Sequence, residues 1–157
     1  MLEQIAFEFQ PLLAEKNLEI DLQIPPDVQA ALDPNKMERV LDNLLRNAVN
    51  YSYPSTDIRL TAAREGDAVR IMVSNAGDPI SDAQLSRLFE KFFRLDSARQ
   101  SRTGGAGLGL AIAKQIVELH HGTITAASSA ERTIFTVRLP AAPPDGRPEG
   151  QFGGSSK

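Results

Sequence analysis

Asp42-Asn43-Leu44-Leu45-Arg46-Asn47-Ala48-Val49-Asn50-Tyr51-Ser52 is the stretch on which the reading of this chain turns. It closes the strongest helical pattern in the sequence, where Met37, Val40, Leu41, Leu44, Leu45 and Ala48 form an apolar stripe. Asp33-Pro34 opens that pattern with an N-cap acceptor and a proline suited to the first helical position, predicting a helix over residues 34–50. Asn43, Asn47, Asn50 and Tyr51 fall at i, i+4, i+7 and i+8, on one face at the edge of the stripe. Asparagine side chains compete for backbone hydrogen bonds and weaken helices, so several in one strong helix require a reason. Neutral amide oxygens suit a hard cation that already carries phosphate, because Mg²⁺ takes few protein ligands and keeps waters. Asn47 is the first candidate for that ion. A helix with a wet polar face accounts for the same pattern without any ligand.

The second informative stretch is Gly104-Gly105-Ala106-Gly107-Leu108-Gly109-Leu110, which leads straight into Ala111-Ile112-Ala113-Lys114. Glycines let a backbone approach phosphate oxygens, and a helix start presents unpaired N–H groups with a positive dipole end. The stretch lacks the Gly-Lys-Ser/Thr ending of a P-loop. It also follows a polar loop rather than a strand, which excludes a Rossmann dinucleotide site. A flexible linker entering a helix is the plainer reading, against which Leu108 and Leu110 alternate with glycines as packing anchors.

Outward from these two segments, residues 3–15 read as an amphipathic helix broken at Pro11. Residues 18–24 alternate as a half-buried strand and 28–32 as a second short one. Residues 58–63 and 68–74 form a hairpin turning at Glu65-Gly66-Asp67. Ser81 caps a short helix ending near Leu88, residues 94–106 are a mobile loop, and 108–119 are helical with a stop at Gly122. Residues 123–127 and 133–139 make a closing hairpin, and the Pro-, Gly- and Ser-rich residues 141–157 a disordered tail. The sum is an α/β fold of two layers, a mixed and largely antiparallel sheet packed on helices. At 157 residues and 41% hydrophobic content the chain supports one cored domain, 1–140. A net charge of −3 without basic runs argues against nucleic-acid or anionic-membrane binding. Zero cysteines exclude disulfides and thiolate metal sites, and no apolar run spans a bilayer.

Four segments in fixed order resemble the catalytic and ATP-binding domain of sensor histidine kinases, in the superfamily shared with gyrase B, Hsp90 and MutL. Residues 42–52 look like the N box, Val73-Ser74-Asn75-Ala76-Gly77-Asp78-Pro79-Ile80 like the first glycine box, Phe89-Glu90-Lys91-Phe92-Phe93-Arg94 like the F box, and residues 105–110 like the second glycine box. The stretch from Arg94 to Lys114 is similar to VanS-like, vancomycin-resistance sensor kinases. The resemblance implies the Bergerat ATP-binding fold, with ATP and Mg²⁺ as cofactors. It implies that Asn43 and Asn47 hold Mg²⁺, that Tyr51 lies against adenine near Asn50, and that Asn75 and Gly77 belong to the adenine-binding box. Arg94, Gly105, Gly107, Leu108 and Gly109 would reach the phosphates, while Arg99 and Arg102 either close over them or are solvated loop residues. Phe89, Phe92 and Phe93 read as hydrophobic anchors at the base of that loop.

Three departures qualify the resemblance. The family usually has Asp where this chain has Asn75, so adenine recognition is expected to be weaker or less selective rather than lost. Pro79 replaces a glycine, and Asn50 stands where the family commonly has a phosphate-facing Lys. Asn43 separates transfer from hydrolysis: hydrolysing relatives keep Glu there as the base that activates water, and Asn cannot take a proton. Glu38, nine residues before Asn47, is too far along the helix to substitute. The implied product is a phosphohistidine on a dimerisation domain absent from this chain, relayed to a response regulator. Such a domain would be cytoplasmic and monomeric alone, within a full-length protein of the bacterial membrane. His120 and His121, roughly 18 Å from the glycine start of their helix, are poor acceptors. A degenerate nucleotide-gated module and a serine kinase of the anti-sigma-factor type are the alternatives.

Overall fold

The computed structural model describes residues 2–25, 28, 33–95 and 108–141. The opening segment forms two helices, α1 (Leu2–Glu8) and α2 (Gln10–Glu15), which part at Phe9 rather than at Pro11. Pro11 sits in the first turn of α2, where no intrahelical donor is required of it. Phe9 turns into the core, and the Arg46 guanidinium lies 5.4 Å over its ring. In β1 (Glu19–Gln23), Ile20 and Leu22 are half-buried while Glu19, Asp21 and Gln23 face solvent. Of the strand expected at 28–32, only Val28 is described, and it lies in no strand.

Helix α3 (Pro34–Tyr51) starts where its sequence signals it. Asp33 Oδ1 accepts the N–H groups of Asn35 and Lys36. Its whole apolar stripe is buried, with Val49 added. Strands β2 (Asp57–Glu65) and β3 (Ala68–Asn75) follow, turning at Gly66 with φ +61°. The next helix, α4 (Asp82–Leu85), carries the capping box of Ser81 and Gln84 but stops as regular helix at Leu85, short of Leu88. Then come α5 (Gly109–Leu119), β4 (Thr123–Ser128) and β5 (Thr133–Pro140).

The end of α5 differs from a glycine stop. His121, at φ 64°, takes the left-handed position, and the Gly122 N–H closes back on Val117 O at 2.9 Å. Gly122 is needed for a different reason: a Cβ there would lie 2.3 Å from the Arg138 carbonyl oxygen of β5. The His120 ring is spoken for as well. Its Nε2 accepts the Asp33 N–H at 3.2 Å and its Nδ1 lies 2.9 Å from Ile116 O, tying the end of α5 to the start of α3.

The sheet order is β1-β2-β3-β5-β4, with β1 parallel to β2 and the other neighbours antiparallel. Ile58, Leu60, Val69, Ile71, Val73, Phe135, Val137 and Leu139 form the buried face under α3 and α5. Adjacent strands β3 and β5 set Asn75 opposite Thr133. That end of the sheet is stitched by Arg132. Its guanidinium donates to Ser74 Oγ at 3.1 Å, Asp57 Oδ1 at 3.1 Å, Asp57 O at 2.8 Å and Ser74 O at 3.1 Å.

Burial pushes the Asp57 carboxyl up, but hydrogen bonds from Arg59 and Arg132, with their charges, outweigh it and hold the group below the ordinary carboxylate range. A carboxyl whose pKa is depressed on folding stabilises the fold above its unfolded value and loses that contribution as pH falls through the folded one. Asp57→Asn is therefore expected to lower stability to urea at pH 7 and to match the parent chain in acid well below about pH 4. An equal deficit at both pH values would remove the charge from the explanation.

Candidate nucleotide site

A cavity of about 400 Å³ opens between the C-terminal end of α3 and the loop after β3. Asn47, Asn50, Tyr51 and Ser52 form the α3 side, and Asn75 with Thr133 its floor at the sheet end. Asp78, Pro79 and Ile80 form the loop side, and Leu88, Leu95 and Phe135 an apolar wall. Amides on one side and hydrocarbon on the other is the lining expected of a site that orients a flat, partly polar ligand.

The two sides are held together by backbone, not by chance proximity. Gly77 packs so closely on the end of α3 that a Cβ would lie 2.2 Å from the Tyr51 carbonyl oxygen. Next to it the Tyr53 N–H donates to Ala76 O at 2.8 Å, and the Tyr53 hydroxyl donates to Asp78 Oδ1 at 2.7 Å. That hydrogen bond, then desolvation and the Asp78 charge, push the Tyr53 phenol up. From the opposite side the Lys16 ammonium donates to Val49 O at 2.9 Å, Asn50 O at 3.1 Å and Ser52 O at 2.9 Å. Its three protons thus meet carbonyls that the end of a helix leaves open. Burial pulls the Lys16 amine below its usual value.

Of the residues singled out in the sequence, Asn47, Asn50, Tyr51 and Asn75 line the cavity. Gly77 stands behind it, against Tyr51. Asn43 does not line it. Its Oδ1 would be 3.4 Å from a methyl group added at Gly109, and its Nδ2 is buried without a partner among the described residues. Asn43 thus packs α3 onto the first turn of α5. Leu108 and Gly109 open that helix, half-buried and off the cavity. Arg94 is also off the cavity, half-buried, with Nη2 unpaired among the described residues. Arg99, Arg102, Gly104, Gly105 and Gly107 lie outside the described residues.

The three phenylalanines separate into different environments. Phe89 meets Phe135 edge-on, with centroids 6.1 Å apart, and Lys114 lies 5.7 Å over its ring. Phe93 lies 4.7 Å under the Arg87 guanidinium. Phe92 is no anchor: it is 69% exposed, at φ 69°. Four participants escaped the sequence reading. Thr133 is brought in by the β3–β5 register, Tyr53 and Asp78 by the Gly77 contact, and Lys16 by packing across 33 residues or more. Only Gly77, a glycine beside a proline-containing loop, carried a local signal.

Residues 32–143 match the family model described as histidine kinase-, DNA gyrase B-, and HSP90-like ATPase. The chain belongs to that family. The sensor protein VanSC of Enterococcus gallinarum is 49% identical over 140 residues, covering 89% of this chain and 38% of that protein. The chain therefore spans well under half the length of that relative. The nucleotide-free catalytic domain of the histidine kinase ThkA aligns with a TM-score of 0.79 at 25% identity, covering 92% of each chain. Full-length ShkA in complex with AMPPNP aligns at 0.77 and 28% identity, covering 90% of this chain and 29% of that one. The likeness to sensor kinases and, within them, to VanS-like proteins holds, as does the two-layer α/β fold. ATP is the ligand class of the family.

Gly77→Ala is expected to cost about 1–3 kcal/mol of stability, the range for overpacking a close contact, and to weaken nucleotide binding with it. Urea unfolding and calorimetric titration read the two effects. Parent-like values in both would show that the loop is free to swing away from Tyr51.

Proposed function

We propose that this chain binds Mg-ATP in the cavity at the end of α3 and donates the γ-phosphate to a histidine on a separate dimerisation domain. The observation that carries the reading is the cavity itself, in which Asn47 and Tyr51 face Asn75 across a pocket of purine size in an ATPase family. The base is assigned to the Asn75–Thr133 floor, with the Tyr51 ring along its edge. Asn47, about one turn toward the start of α3, then faces the phosphates. One turn further, Asn43 marks where α3 meets Gly109 and the N-terminus of α5. A helix start favours anions, so the triphosphate is directed there, toward Arg94 and the glycines that precede α5. Arg99 and Arg102 belong to the same proposal.

The donor set fits Mg²⁺. Among the described residues no three His, Cys, Asp or Glu side chains are grouped as a metal cage. Asn47 would hold such an ion through its amide oxygen, beside the phosphates the ion arrives with, and the ion would supply charge neutralisation at the transferring group. Asn43 adds a second amide only by turning from Gly109. The chain's own task is to bind, orient and exclude water.

Among the described residues no usable base lines the phosphate end of the cavity, which favours transfer over hydrolysis. The one carboxylate among the described lining residues is Asp78, which lies at the base end and is engaged by the Tyr53 hydroxyl. The acceptor nitrogen attacks the γ-phosphorus, the bond to the β-γ bridging oxygen breaks, and ADP leaves. Relay to a response regulator and attachment of the full-length protein to a membrane belong to the same proposal. Among the described residues no helix is long and apolar enough to cross a membrane.

Mixing the chain with γ-labelled ATP and a separate dimerisation domain should yield an acid-labile phosphohistidine on that domain. Bound nucleotide with no transfer would leave the nucleotide-gated module, which Pro79 in the cavity wall favours by stiffening the loop. Asn47→Ala should abolish Mg-dependent nucleotide affinity with the circular dichroism spectrum unchanged. An unaltered affinity in Mg²⁺ would take Asn47 out of the site.

A further inference from the structure

Asn75 is 4% exposed and lines the cavity at the end of β3. A side-chain amide at so buried a position needs hydrogen-bond partners, and a ligand in the cavity is placed to supply them. Its nearest polar neighbour across the strands is Thr133, also 4% exposed and also lining the cavity. Thr133 Oγ1 lies 3.0 Å from Ser128 Oγ, which in turn accepts the Ile80 N–H at 2.9 Å. Either hydroxyl of that pair can be the donor, so Thr133 can present a proton or a lone pair to a ligand.

The chemistry of this floor is therefore ambivalent. The amide offers one acceptor and one donor group, and the two exchange places when the group turns over. Adenine presents an N6 donor beside the N1 acceptor. A 6-oxopurine presents the inverse, an O6 acceptor beside an N1–H donor. A carboxylate at this position has only acceptors and would repel O6. An amide satisfies either edge by a half-turn about its last bond.

Resting on the nucleotide reading above, we propose that this site takes purine nucleoside triphosphates of both kinds, 6-amino and 6-oxo, and that Asn75 sets this breadth. The two nucleotides to compare are ATP and ITP, because their bases differ only in the edge that Asn75 meets. Calorimetric titration of the chain in Mg²⁺ should place the Kd for ITP within about tenfold of that for ATP, the small discrimination expected where no polar group is left unpaired. Asn75→Asp should keep ATP and weaken ITP by about a hundredfold or more, as a site left with an unpaired or repelled group does. Asn75→Ala should weaken both nucleotides to a similar degree.

Three results would overturn the proposal. One is ATP binding in the parent chain with ITP more than about tenfold weaker, which leaves the nucleotide reading intact. Another is unchanged discrimination in Asn75→Asp, which removes Asn75 as the determinant. The third is no binding of either nucleotide, which defeats the nucleotide reading itself.

Discussion

The C-terminal end of α3 is the constraint on which the rest of the site depends. A helix that stops inside a fold leaves carbonyl oxygens without partners. Here the stop occurs at the cavity wall, where Asn50, Tyr51 and Ser52 must hold fixed positions. The Lys16 ammonium gathers three of the terminal carbonyls, and the Ser52 hydroxyl turns back to Ala48 O at 2.5 Å. A fourth carbonyl, that of Tyr51, is covered by the bare Cα of Gly77. The helix end is thus met by a charge on one side and packed by backbone on the other. Both are also what places the loop wall against the helix wall.

The sheet supplies the matching fixed point. Asn75 is the last residue of β3, where a strand end would ordinarily fray. Arg132 prevents this by donating to both Asp57 and Ser74, so the ends of β2, β3 and β5 move together. Its side chain is 15% exposed, which shields these bonds from water and makes them worth more than surface pairs. The outer pairs of Arg46 with Asp42 and Arg87 with Glu90 are far more exposed and contribute little. Two anchored ends, one helical and one of the sheet, face each other across the cavity.

What the sequence made legible was what depends on near neighbours. The Asp33-Pro34 start, the apolar stripe of α3, the Gly66 turn and the Ser81 cap are all written within a few residues, and all form as read. Errors of detail arose where a second residue could take the same local role. His121 rather than Gly122 adopts the left-handed turn, and Phe9 rather than Pro11 marks the break between α1 and α2. What stayed hidden depends on distant pairing. Two hairpins were readable, but nothing in either says that β5 inserts beside β3, and that register alone brings Thr133 to Asn75. Lys16 reads as an ordinary surface lysine until the fold carries it to the end of α3. Phe92 reads as an anchor like Phe89 and Phe93, but with its backbone at φ 69° its side chain lies 69% exposed.

Asn43 shows how one side chain can hold both the architecture and the chemistry. Packed on Gly109, it fixes how closely the start of α5 approaches α3, and that start is where a triphosphate would be received. A glutamate there would bring a base, but it would also put a carboxylate beside the same helix start and compete with phosphate for it. The neutral amide keeps the contact, leaves the positive helix end open to an anion, and withholds the proton acceptor that water attack requires. On the proposed reading, the packing of the two helices and a preference for transfer rest on the same amide.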